Sequence, residues 1–207
     1  MFIATIVCSG QNSVGIFKLH QDIGKPQLAG NIYYNKEDQS YDIKGAGYNI
    51  WFARDEFYYA YQNLKGDFIL TANFKFINKG SNPHRKVGWM VRANDSEDAA
   101  HMTATVHGDG LTTLQWRRKK GVDMRDPQDE IFTKISAPEI IQLERIGKQF
   151  IMRVANPGGA LQEIGRTDSI DLPNHVLAGI FIGSHDPKII EEAKIWNVKI
   201  EKPVKNK

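Results

Sequence analysis

The sequence predicts an all-β protein, a sandwich or barrel of antiparallel strands, and three observations carry that prediction. Apolar residues alternate with polar ones, or gather in short solid runs, over almost every segment. Turn residues break those runs at regular intervals. No long apolar stripe of helical spacing occurs along the 207 residues.

Residues 1–10 form an apolar stretch running into small residues. They fit either the remnant of a secretory signal lacking its basic leader, or a first strand rich in Ile and Val. Phe68, Leu70, Ala72, Phe74 and Phe76 alternate with Ile69, Thr71, Asn73 and Lys75, the pattern of a half-buried strand. Phe150, Met152 and Val154 alternate in the same way with Ile151, Arg153 and Ala155. Residues 176–182 are apolar throughout, as in a central strand covered on both faces. Residues 195–200 close the fold, with Trp196, Val198 and Ile200 expected on one side. Gly45-Ala46-Gly47, Lys65-Gly66-Asp67, Gly80-Ser81-Asn82-Pro83 and Asn156-Pro157-Gly158-Gly159 mark turns between the runs. Short helical pieces are expected near residues 96–100 and 187–193. The polar tail, 201–207, is expected to fray.

Gly108-Asp109-Gly110 is the clearest local signal. A three-residue loop there sets His107 opposite Leu111, Thr105 opposite Thr113, Thr103 opposite Gln115 and His101 opposite Arg117. The other face pairs Val106 with Thr112, Ala104 with Leu114 and Met102 with Trp116. One face is apolar and must be core. The opposite face gathers His101, Thr103, Thr105, His107, Thr113, Gln115 and Arg117, a composition that suits a hydrogen-bonding groove and equally a plain polar surface or layer.

Length and charge bound the function. One large all-β domain of this size buries roughly 70% of the surface its unfolded chain exposes and needs no staples. The 27 basic residues are interleaved with 24 acidic ones for a net charge of +3, too little and too mixed to indicate nucleic acid. The run Arg117-Arg118-Lys119-Lys120 reads as a solvated hairpin end. The single cysteine, Cys8, excludes an internal disulfide. No apolar run approaches the roughly 20 residues that a helical membrane span needs.

The segments Gly47 to Tyr61, Leu64-Lys65-Gly66-Asp67-Phe68 and Lys86-Val87-Gly88-Trp89-Met90-Val91-Arg92 follow one another in a familiar order. Ile141 to Phe150 and Ala178 to His185 continue it. Together, over about residues 29–200, they resemble bacterial concanavalin A-like domains of an uncharacterised family, including ones attached to TolB-like β-propellers. The resemblance implies a two-sheet antiparallel jelly-roll sandwich after an N-terminal segment, 1–28. It also implies carbohydrate as the ligand class and leaves room for a neighbouring propeller-like protein. Related members often carry a Ser-x-Asp-Gly-x-x-Trp stretch where this chain reads Ala155-Asn156-Pro157-Gly158-Gly159-Ala160-Leu161-Gln162.

Tests for chemistry are mostly negative. Glycoside hydrolysis needs two carboxylates at a set spacing, and no Glu-x-Asp-x-x-Glu-like run supplies them. The acidic groups Asp55-Glu56, Asp95 to Asp98 and Asp126 to Glu130 read as solvated loops, Asp55 being kept because it lies between Trp51 and Tyr58. His101 and His107 stand roughly 20 Å apart on one strand, too far to share an ion. No cofactor is expected; calcium is the metal the resemblance admits, through Asp109 or Asp95 and Asp98. Trp51 and Trp89 are the candidate sugar platforms. His84, Arg85 and Lys86 sit at a loop rim, and Arg92 and His185 fall in the family-like segments.

Three functions follow. The first is a non-catalytic module binding carbohydrate on the concave sheet face, the second a glycoside hydrolase-like enzyme, the third a structural or interaction domain. The compartment stays open, with periplasm or secretion favoured. Gln115→Ala and Arg117→Ala are each expected to weaken glycan binding while leaving stability almost unchanged.

Overall fold

A computed structural model describes residues 13–204, so the reading of residues 1–10 and Cys8 lies outside the described residues. Fourteen strands follow one another among those described. They are β1 (Leu19–Ile23), β2 (Asn31–Asn35), β3 (Ser40–Gly47), β4 (Phe57–Lys65) and β5 (Phe68–Phe76). Then come β6 (Lys86–Arg92), β7 (His101–His107), β8 (Thr112–Arg117), β9 (Glu130–Phe132) and β10 (Ile140–Ile146). β11 (Gln149–Ala155), β12 (Gln162–Thr167), β13 (His175–Gly183) and β14 (Asp186–Glu201) complete the chain. A front sheet runs β1-β4-β13-β6-β7-β8-β9 and a back sheet β12-β11-β10-β5-β14-β3-β2, with every pairing antiparallel. No helix among the described residues is long and apolar enough to cross a membrane.

Alternation places the core. Phe68, Leu70, Ala72 and Phe74 of β5 meet Val87, Trp89 and Val91 of β6, Ile180 and Ile182 of β13, and Met152 and Val154 of β11 in one inter-sheet cluster. The β7–β8 hairpin has the register read from its loop, from His101↔Arg117 to Val106↔Thr112. Gly110 takes φ 91° at the turn, a conformation glycine tolerates, and its amide closes the loop on the His107 carbonyl at 3.0 Å. Met102, Ala104, Val106, Leu114 and Trp116 are all buried between the sheets.

Two expectations change, the short helices and the side taken by Trp196. Residues 187–193 are strand, part of β14, and residues 96–100 form turns rather than helix. Trp196 lies on the opposite side of β14 from Val198 and Ile200, which pack on the core. The cause is a bulge: pairing with β5 shifts between Trp196 and Lys199, and Asn197 takes φ 53°. The segment before residue 29 contributes to the sandwich: Phe17 is wholly buried in the core and β1 pairs with β4.

The outer face of the front sheet, turned away from the back sheet, has two halves. Around β1, β4 and β13 it is filled by Ile23, Phe57, Tyr59, Tyr61 and Phe181, with Ile50 from the β3–β4 loop packed on them. Towards β7, β8 and β9 it is polar.

Candidate functional site

Register alone orders the polar half. His107 pairs with Lys86, His101 with Arg92 and with Arg117, Thr103 with Gln115, and Gln115 with Glu130. All seven polar side chains of the hairpin face are buried, from 0% exposed for Arg117 to 4% for His107.

The lower part of this face is an anchor. Asp55 reaches down from the β3–β4 loop and takes hydrogen bonds from Arg92 Nη1 at 2.7 Å and Arg117 Nη1 at 2.8 Å, with Arg117 Nη2 on its other oxygen. All three side chains are fully buried. Arg117 also donates to the carbonyls of Ile50, Phe52, Ala99 and Val122, and Arg92 to those of Asn94 and Ser96. Thus one carboxylate and two guanidiniums fasten three loops to the sheet. His101 stands 3.9 Å from Asp55, and burial, then the Arg117 and Arg92 charges, hold its pKa well below the usual histidine range.

Above the anchor lies an open groove of about 380 Å³. Trp51 and Phe52 of the anchored loop line it together with Leu111 and Phe132. Its polar lining is Asn49, His84, Lys86, His107, Gln115, Glu130 and His185. Asn49 shapes the loop locally, its Oδ1 accepting from the amides of Ile50 at 2.8 Å and Trp51 at 3.2 Å. The His84 ring lies 5.4 Å from that of His185 and 6.2 Å from that of His107.

Several buried polar atoms at the groove have no protein partner: both ring nitrogens of His107, Oε1 of Gln115 and Nδ1 of His185. Gln115 spends Nε2 on Glu130 at 3.2 Å and leaves its carbonyl free. Burial, helped by the Lys86, His84 and His185 charges, lowers the His107 pKa to about 2; burial and the Lys86 and His84 charges lower that of His185 to about 4. Both rings are neutral at pH 7. Lys86 falls to about 8 through burial, with Glu130 and Asp109 opposing the shift. Burial raises the pKa of Glu130, against its bond from Gln115.

A pH dependence follows. Below pH 6.5 the unfolded chain takes up a proton on His107 that the folded protein refuses, so stability falls as pH drops through that window. Each such histidine contributes a slope of up to about 1.4 kcal/mol per pH unit. Wild type is therefore expected to lose stability relative to His107→Gln between pH 6.5 and 4.5 in urea titrations. Parallel curves for the two proteins would refute this.

The structure brings Trp51, His84, His107, Gln115 and His185 to one groove and distributes the other candidates elsewhere. Trp89 is a correction: it faces the inter-sheet core, 0% exposed, with Nε1 donating to the Ile141 carbonyl at 3.1 Å. Arg85 turns away to pair with Glu191 and lies over the Phe76 ring at 4.0 Å. Thr103 and Thr105 donate to the Gln115 and Val87 carbonyls, at 3.2 and 2.9 Å. Asp55, Arg92, Arg117 and His101 belong to the anchor. Asp129, read as solvated, is fully buried, and Arg117 is no solvated hairpin end. Asp129 takes the Arg125 amide at 2.7 Å and pairs with Arg118 and Arg125. Among the described residues no three His, Cys, Asp or Glu side chains are grouped to hold a metal ion. Asp109, named for calcium, accepts the Leu111 amide at 3.0 Å.

Lys86 was expected at a loop rim beside His84 and Arg85, and Glu130 in a solvated loop; neither was expected on the binding face. Lys86 was within reach, because Arg92 was named and lies six residues along the same strand, hence on the same face. Glu130 was hidden by the irregular stretch before the three-residue β9.

No protein-family model and no curated protein matches this sequence. Solved structures do match. A functionally unknown protein from Saccharomyces cerevisiae superposes with a TM-score of 0.65 at 11% identity, covering 90% of this chain and 97% of its own. The carbohydrate-binding module CBM66 from Bacillus subtilis gives 0.54 at 14%, over 92% and 98%. Lectin I-B4 from Griffonia simplicifolia gives 0.51 at 9%, over 90% and 93%. The likeness is one of fold. The chain is a two-sheet antiparallel jelly-roll sandwich of the concanavalin A-like kind. Two GH43 proteins share that sandwich over 39% of their own chains.

Proposed function

We propose that the groove on the outer face of the front sheet binds a carbohydrate. The observation that carries this is the pairing of free, buried hydrogen-bonding atoms with an aromatic wall. Gln115 Oε1 and the His107 ring nitrogens lack protein partners, although leaving a buried polar group unsatisfied costs about 1–3 kcal/mol. A ligand rich in hydroxyls satisfies them, and Trp51, Phe52 and Phe132 offer faces to the apolar side of a sugar ring. The structural neighbours that bear carbohydrate-binding and lectin names support the same reading.

Recognition is favoured over hydrolysis by the carboxylates. Glu130 is the one carboxylate among the residues lining the groove. Its neighbour Asp126 raises its pKa further. Hydrolysis of a glycosidic bond needs two carboxyls, one on either side of that bond.

The test is a glycan array followed by calorimetry on a hit. Gln115→Ala and Trp51→Ala are each expected to weaken binding by about tenfold or more. Gln115→Ala is expected to move the melting temperature by no more than about 4 °C, the shift that about 1 kcal/mol produces in a domain of this size. Unchanged affinity in both variants would place the ligand elsewhere.

A further inference from the structure

The groove holds a buried charge that the protein does not neutralise. Lys86 is 7% exposed, and its ammonium makes one hydrogen bond, to the His84 carbonyl at 3.0 Å. No carboxylate among the described residues forms an ion pair with it. An ammonium withdrawn from water costs several kcal/mol unless an anion and further acceptors compensate it. The charges that face it do so from a distance. Glu130 is on β9, three strands from β6, and is engaged by Gln115. Asp109, on the hairpin loop, is occupied by the Leu111 amide. Beside Lys86 stand His107, its direct partner across the strand pair, and His84 and His185 from the two loops at that end of the sheet. Each of these rings carries an N–H in either tautomer, and none carries negative charge.

We propose that the saccharide taken by this groove is acidic, its carboxylate or sulfate seated on the Lys86 ammonium and flanked by the His107 and His185 rings. This rests on the reading of the groove as a carbohydrate site and specifies its ligand class. The anion supplies the missing countercharge. The free nitrogens of His107 and His185 supply neutral donors to its remaining oxygens, and Gln115 Oε1 accepts from an adjacent hydroxyl. A neutral sugar would satisfy Gln115 and leave the ammonium uncompensated.

Calorimetry of the purified protein against oligouronates and sulfated oligosaccharides, each beside its carboxyl-reduced or desulfated counterpart, tests this. The acidic member of at least one pair is expected to bind about tenfold tighter or more than its neutral counterpart. The uronate and sulfate arms tell the two anions apart. Lys86→Met should lower the acidic ligand to the affinity of the neutral one, and Lys86→Arg should keep the preference. Equal binding within every pair would overturn the acidic ligand and leave carbohydrate binding standing. A preference surviving in Lys86→Met would overturn the role of this lysine. Absence of binding to any glycan, on these pairs and on the array, would overturn both proposals. If Lys86→Met does not fold, the wild-type comparison of acidic with neutral decides.

Discussion

Replacing Arg117 with alanine is expected to destabilise the protein by about 3–5 kcal/mol, the usual cost of removing one partner from a buried ion pair. Its guanidinium occupies both oxygens of Asp55 and four backbone carbonyls from three loops, with no exposure to water. Without it Asp55 keeps Arg92 alone, and the carbonyls of Ile50 and Ala99 lose a donor in a place that is buried. Lysine is no remedy, because a single ammonium cannot span both carboxylate oxygens and the carbonyls around them. Equilibrium urea titration of wild type, Arg117→Ala and Arg117→Lys checks this. A midpoint for Arg117→Ala indistinguishable from wild type would refute the anchor. The burial of Arg117 thus replaces the sequence-based expectation of a ligand contact without cost to stability. Any glycan binding lost in this variant would be lost through the loop that carries Trp51 and Phe52.

Trp89→Ala is expected to cost a similar amount, about 3–5 kcal/mol, for a different reason. The indole lies between the sheets, its ring edge-on to Phe74 at 5.8 Å and its Nε1 bonded to Ile141 of the opposite sheet. Truncation opens a cavity and removes that hydrogen bond between the sheets. Because the ring faces away from the groove, the folded fraction should bind glycan with wild-type affinity. Denaturant titration paired with calorimetry at low temperature checks both halves. Glycan binding lost with stability intact would return Trp89 to the site.

The hairpin was legible because its register depends on three adjacent residues: an odd loop at Gly108-Asp109-Gly110 fixes the parity of both strands, and every pair from His101 to Val106 follows. Val176 to Ile182 was legible because only a strand covered on both faces is apolar at every position. The anchor was not legible. Asp55 and Arg117 are 62 residues apart, and nothing local to either states that they meet. Asp129 looked like a solvated loop carboxylate because it and its partners Arg118 and Arg125 lie in one irregular stretch, which has no periodicity to reveal burial. Trp196 was misplaced by one residue, Asn197, whose bulge reverses the parity on which alternation depends. Of the groove, the hairpin contributed His107 and Gln115 through parity; the approach of His84 and His185 from two loops about 100 residues apart is a product of the sheet order.

That order has a consequence for how the chain assembles. In the front sheet β13 separates β4 from β6, and β14 likewise separates β3 from β5 in the back sheet. Until residues 175–201 arrive, each sheet is two unconnected pieces with raw edges facing a gap one strand wide. Pairing across such sequence distances is slow, since the entropy of closing the long loop is lost before its contacts form. A nascent chain on the ribosome would therefore hold its two half-sheets apart until the last strands emerge. Completion of the fold depends on two insertions, each made after the strands on either side of it.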